Sequence, residues 1–206
     1  MRTIHPVPLL ALVLATSLAR HADAQLPKPA PNTAAMLTSL DQASARYAGI
    51  ARQIWEFAEV GYMEEKSSAL LQQELKAAGF TVKAGIAREP TAFVAEFGSG
   101  KPVIVILGEF DALPGLSQDA VPERRPLRAG GPGHGCGHHL FGTASTASAI
   151  ALKQWMQANN VRGTLRMIGT PAEEGGSGKV YMVRDGVFND VDAVIAWHPG
   201  DEHAAM

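Results

Sequence analysis

Leu37, Leu40, Ser44, Tyr47, Ala51, Ile54 and Ala58 recur along the chain at alternating steps of three and four. That spacing predicts an amphipathic helix over residues 37–58 with one face turned to a core. A second helix is expected over residues 63–78, with Leu71, Leu75 and Ala78 inward and Gly79 as its stop. Residues 92–97 read as a strand. Residues 103–107 (VIVIL) are continuously apolar and mostly β-branched, the pattern of a strand covered on both faces. A small-residue helix is expected over 140–157, where Ala144, Ala147 and Ala151 permit close approach to a sheet. Strands over 164–168 and 193–197 flank a short helix at 178–184. Such alternation indicates an α/β fold, a three-layer sandwich with a largely parallel sheet.

The first residues carry a different pattern. Arg2 precedes an apolar run at 7–18, and Ala22-Asp23-Ala24 places small residues where a signal peptidase reads. Residues 1–24 are therefore expected to be a cleaved secretory signal, which makes the product secreted or periplasmic. The apolar run is shorter than the ~20 residues of a spanning helix, so no membrane association is expected after cleavage. Residues 25–36, with Pro27, Pro29 and Pro31, form an expected proline-rich leader.

Composition narrows the classes further. The chain has 206 residues, enough for one domain or one and a fraction. Charged residues make up 18% and the net charge is −2, with the basic residues scattered, so nothing favours nucleic acid as a partner. Cys136 is the single cysteine, and an exported thiol without a disulfide partner needs another role.

Ligands of open parallel sheets bind outside the carboxyl ends of the strands. Three such ends lead into polar loops: 108–114 (GEFDALP), 169–176 (GTPAEEGG) and 198–200 (HPG). A fourth segment, 133–139 (GHGCGHH), precedes the small-residue helix. In an extended backbone Cys136 and His138 face the same way and can reach one ion. Thiolate with imidazole suits zinc, and imidazole with carboxylate suits manganese or cobalt. His134 and His139 are alternative ligands. Adjacent Glu173 and Glu174 repel unless a cation lies near; one can bind metal while the other moves a proton. His198, between Trp197 and Pro199, is either a ligand or a packed histidine. Residues 175–179 (GGSGK) form no phosphate loop, because Glu173 and Val180 stand where Gly and Ser or Thr belong.

Residues 108–114, 134–138, 170–175 and 197–198, in this order, resemble the aminoacylase/carboxypeptidase superfamily of co-catalytic metallopeptidases. Residues 54–61 (IWEFAEVG) and 169–182 are similar to its amidohydrolase branch, which includes aminobenzoyl-glutamate and auxin-conjugate hydrolases. The resemblance covers residues 37–199 and implies a zinc-exopeptidase-like catalytic domain holding two divalent metal ions, zinc or manganese. It implies Cys136, His138, Glu174 and His198 as metal ligands. Glu173 becomes the general base, taking a proton from a metal-activated water and returning it to the departing amine.

The remaining residues fit the pattern less closely. Asp111 matches an aspartate near the metals, and Glu109 stands where many relatives carry a ligand histidine. His134 matches a position that is not normally a ligand, and His139 replaces the usual Asn or Asp. These four are expected to support the ligands through hydrogen bonds. The implied function is hydrolysis of the amide bond in N-acyl or N-aroyl amino acids, with a small amide or peptide as substrate. A dipeptidase or carboxypeptidase is the alternative, and an inactive metal-binding or partner subunit is another. Relatives continue with a lid or dimerisation domain and one more histidine ligand. Residues 37–206 are thus expected to be the N-terminal portion of the catalytic domain, and a homodimer only where that further domain is present.

Overall fold

Two apolar segments, Val103–Gly108 (β3) and Gly163–Gly169 (β4), pair in parallel at the heart of a five-stranded sheet. The structure, a computed structural model, describes residues 33–200. The expected signal and residues 25–32 of the leader lie outside the described residues. Strand order is β1 (Thr81–Ala84), β2 (Phe93–Ser99), β4, β3, β5 (Ala193–Ile195). β2 is antiparallel to both β1 and β4, whereas β3 is parallel to both β4 and β5. Only β2 therefore runs against the rest, and the sheet is largely parallel in strand direction. Pairing of Gly108 with Gly169 brings the carboxyl ends of β3 and β4 level. The loops that follow leave the sheet side by side.

Alternation along the strands divides the core between two faces. On one face Phe93, Ile106, Leu165 and Met167 pack under three helices: α1 (Ala34–Phe57), α2 (Glu65–Ala77) and α3 (His138–Ala158). Ile54, Leu71 and Leu75 are fully buried there. Each such side chain contributes about 1.5–3 kcal/mol through removal from water. On the other face Val105, Leu107 and Ile168 meet Ile86 and Ala87 of a short turn and Met182 of α5 (Gly178–Arg184). The second helical layer is thin, but three layers are present.

Several boundaries differ from the sequence expectation. Residues 34–36 belong to α1 rather than to the leader. The stripe on α1 is fully buried only from Ile50 onward, with Tyr47 partly buried against the core and Leu37 exposed. α3 starts at His138, two residues early, so both histidines open the helix. β5 stops at Ile195, with all three side chains exposed. β1 and the four-residue turn α4 (Glu173–Gly176) have no counterpart in the sequence reading, β1 because TVKA is short and mostly solvent-facing. Among the described residues, no helix is long and apolar enough to cross a membrane.

Candidate metal centre

Each of the four polar segments arrives at the same sheet edge by its own route. β3 ends at Gly108 and delivers Glu109 and Asp111, both buried. β4 ends at Gly169, and Glu173 and Glu174 open α4. β5 leads to exposed His198. The glycine-rich segment delivers Cys136 and His138, although not by the extended alternation that the sequence suggests. Gly137 takes φ 85°, a left-handed turn that glycine adopts without steric cost, and starts α3. The chain bends between the two donors, and the bend brings them together.

His138 is the hub. Its side chain is 1% exposed, with Nδ1 2.8 Å from Asp111 Oδ1 and Nε2 2.9 Å from Glu109 Oε2. Glu173 Oε2 lies 4.0 Å from Nε2, and Glu174 Oε1 lies 3.9 Å from Nδ1. Asp111 uses its second oxygen to accept the Glu174 N–H at 2.8 Å, which ties β3 to the start of α4. Cys136 Sγ and His198 Nε2 are 3.2 Å apart, and the His138 and His198 rings stand edge to face at 5.6 Å. Two donor sets result, Cys136–His138–His198 and Glu109–His138–Glu173, each with its ligand atoms within 4.8 Å of one another.

The electrostatics of the cluster fit a cation. Burial alone would make His138 harder to protonate, but the Asp111 and Glu109 carboxylates hold its proton up to a pKa of about 10. Burial, reinforced by Glu174 and Glu173, pushes the Cys136 thiol up to about 11. Glu174 is likewise raised by burial. Glu109 is lowered despite its burial, because His138 and Lys179 both face it. Among the described residues, the four carboxylates thus share two cations, His138 and Lys179. His138 Nε2 and Glu174 Oε1 are buried without a well-directed hydrogen bond. Sulfur, imidazole and carboxylate donors with unsatisfied buried atoms are the chemistry of a transition-metal site. The donor set suits zinc or manganese, and its two subsets share His138.

Not every candidate joins the cluster. The His134 and His139 rings lie 5.0 Å from each other and pack on Trp55 of α1. His134 Nε2 meets Ile54 O at 3.1 Å. Burial lowers the pKa of both imidazoles to about 4. They form an apolar-facing pair behind the centre, and neither belongs to a donor set among the described residues. Lys179 is the residue that sequence reasoning missed. As the last residue of the GGSGK run it shows no chemistry in the sequence, yet it forms an ion pair with Glu109. Its place on the first turn of α5, six residues past Glu173, was the available signal.

Residues 105–205 match the model of the peptidase family M20/M25/M40. The chain is 52% identical over 155 residues to a p-aminobenzoyl-glutamate hydrolase polypeptide of Escherichia coli K12, covering 75% of this chain and 32% of that protein. It is 31% identical over 179 residues to mouse Xaa-Arg dipeptidase, covering 81% and 38% respectively. A dinuclear metal-binding peptidase of the M20 family from Bacillus subtilis superposes with a TM-score of 0.67 at 25% identity, over 78% of this chain and 44% of that one. The chain spans about a third of the length of these curated relatives. The ordered motifs, the sheet and the relatives agree, and the chain belongs to the M20/M25/M40 peptidase family.

Proposed function

We propose that this chain carries the metal-binding and general-base residues of a hydrolase that cleaves the amide bond of N-acyl or N-aroyl amino acids. The observation that carries the reading is the convergence of Glu173 and Glu174 with Cys136, His138 and His198 from two other chain segments at one sheet edge. Cys136, His138, Glu174 and His198 would hold two divalent ions, zinc or manganese, with Glu109 within reach of the same place. Such ions would polarise the amide carbonyl and lower the pKa of an attacking water. Asp111 fixes the His138 ring through Nδ1 and the start of α4 through the Glu174 N–H. Glu173 differs from its neighbours in exposure: its side chain is 44% accessible, against 16% for Glu174. It can therefore meet water and substrate, take a proton at a carboxylate oxygen, and pass it to the departing amine.

The choice of an aminobenzoyl-glutamate-like substrate is supported by the identity with the Escherichia coli protein. The mouse relative supports a second reading, a dipeptidase. Residues 1–24 support export to the periplasm or exterior. Incubating the full chain with zinc or manganese and p-aminobenzoyl-glutamate, N-acetyl amino acids or Xaa-Arg dipeptides separates these readings. The expected result is turnover of the acyl and aroyl compounds, with Glu173→Gln lowering kcat by ~10²–10⁴-fold while bound metal is unchanged. Preference for the dipeptides moves the assignment to a dipeptidase. Two bound ions without turnover assign a metal-binding partner protein, and full activity in Glu173→Gln contradicts the proposed base.

A further inference from the structure

The connection between α1 and α2 closes around α4. A Cβ on Gly61 would lie 2.9 Å from both Cα and Cβ of Ala172, so the two backbones touch. Tyr62 donates its hydroxyl hydrogen to Gly176 O over 2.7 Å, and a Cβ on Gly176 would come within 2.4 Å of the Tyr62 ring. Glu64 is fully buried. One of its carboxylate oxygens accepts the Ala172 N–H at 2.8 Å, and the other accepts the Thr91 hydroxyl at 2.9 Å. Glu64 therefore grips the entry to α4 and Tyr62 its exit.

The gripped segment is strained. Ala172 and Ser177, which bracket α4, both have φ 55°, a left-handed region unfavourable for a residue bearing a Cβ. Such backbone persists only where its surroundings over-determine it. Glu173 and Glu174 lie between the two strained residues, so their placement depends on whatever enforces the turn. Losing the Glu64 acceptor would leave a buried Ala172 N–H unsatisfied, and the peptide would rotate toward another partner. Glu173 sits on the far side of that peptide.

We infer that Glu64 and Tyr62 are positioning residues that hold the Glu173–Glu174 turn in its working conformation. The consequence for turnover rests on the proposed role of Glu173 as base; the consequence for the turn itself does not. Glu64→Met keeps the bulk and removes the acceptor, whereas Glu64→Gln keeps an oxygen for Ala172 and an amide for Thr91. In the full chain, the Ala172 amide is expected to exchange with solvent at least about tenfold faster in Glu64→Met than in the wild type or in Glu64→Gln. With metal supplied, kcat should fall ~10–100-fold in Glu64→Met, with KM and bound metal within about twofold of the wild type. Glu64→Gln should recover most of that loss. Tyr62→Phe, a milder change, should lower kcat several-fold without moving KM and serves as the deciding variant if Glu64→Met does not fold. Unchanged Ala172 exchange in folded Glu64→Met, equal impairment of the Gln and Met variants, or unaltered kcat in Tyr62→Phe would overturn the inference. If the wild type hydrolyses no amide while the exchange pattern holds, the proposed function fails and the positioning role stands.

Discussion

His138 has a carboxylate at each ring nitrogen, and the two contacts are not equivalent. Asp111 is fully enclosed and bonded at Nδ1, whereas Glu109 approaches Nε2 and is shared with Lys179. A metal-binding imidazole commonly gives its other N–H to a carboxylate, which assigns Asp111 the orienting role and leaves Nε2 for the ion. Asp111→Ala is expected to weaken zinc binding ~10–100-fold, measured by competition with a chromophoric chelator. Unchanged affinity would confine Asp111 to its bond with the Glu174 amide. Away from the centre, Glu89 is buried with neither carboxylate oxygen hydrogen-bonded. Burial, with Glu64 and Asp185 nearby, pushes its pKa up to about 7, while the neighbouring Arg88 pairs with Asp185 instead. Above the ordinary carboxyl range and below about 7, the folded protein holds the Glu89 proton that the unfolded chain has released. Stability from this group is therefore greatest at acid pH and declines as pH rises toward 7. Glu89→Gln should raise Tm by a few degrees at pH 8 and by little at pH 4.5. A Tm difference independent of pH would contradict this origin.

At the scale of elements, the long periodic segments were legible and the short strained ones were not. α1, α3, β3 and β4 follow from helical stripes and β-branched runs, because burial of a whole face leaves a pattern in composition. α4 leaves none. It is four residues long, glycine-rich and enforced by Gly61, Tyr62 and Glu64, which lie more than a hundred positions earlier. Cys136 and His138 lie close together, but through a turn at Gly137 rather than along the extended backbone that their spacing suggests. The bend at Gly137 is a tertiary choice, since a Cβ there would meet Pro199 at 3.1 Å beside His198. Gly137→Ala is expected to cost about 1–2 kcal/mol in stability. It should also weaken metal binding, because it displaces the first turn of α3 from the loop carrying His198. Equal Tm and zinc affinity in wild type and variant would show that the bend does not set the site.

Across the whole molecule, the family is legible in four short motifs because three follow strand ends and the fourth opens α3 at the same edge. The loops there carry residues chosen for chemistry, while the strands between them carry residues chosen for burial. What could not be read is how the donors divide. Glu173 and Glu174 are neighbours in sequence, yet one is half-exposed and near His138 Nε2 while the other is enclosed and near Nδ1. His134 and His139, alternative ligands by residue type, pack on Trp55 instead. Facing direction in a tight turn depends on backbone torsions that residue types alone do not determine. The cluster around His138 is proposed to hold two divalent ions. Anomalous diffraction at the zinc absorption edge, from crystals of the full chain grown with zinc, tests it most directly. Two anomalous peaks are expected, one contacting Cys136 and His198 and the other at the carboxylate side of His138. A peak between His134 and His139, or none near His138, would contradict it.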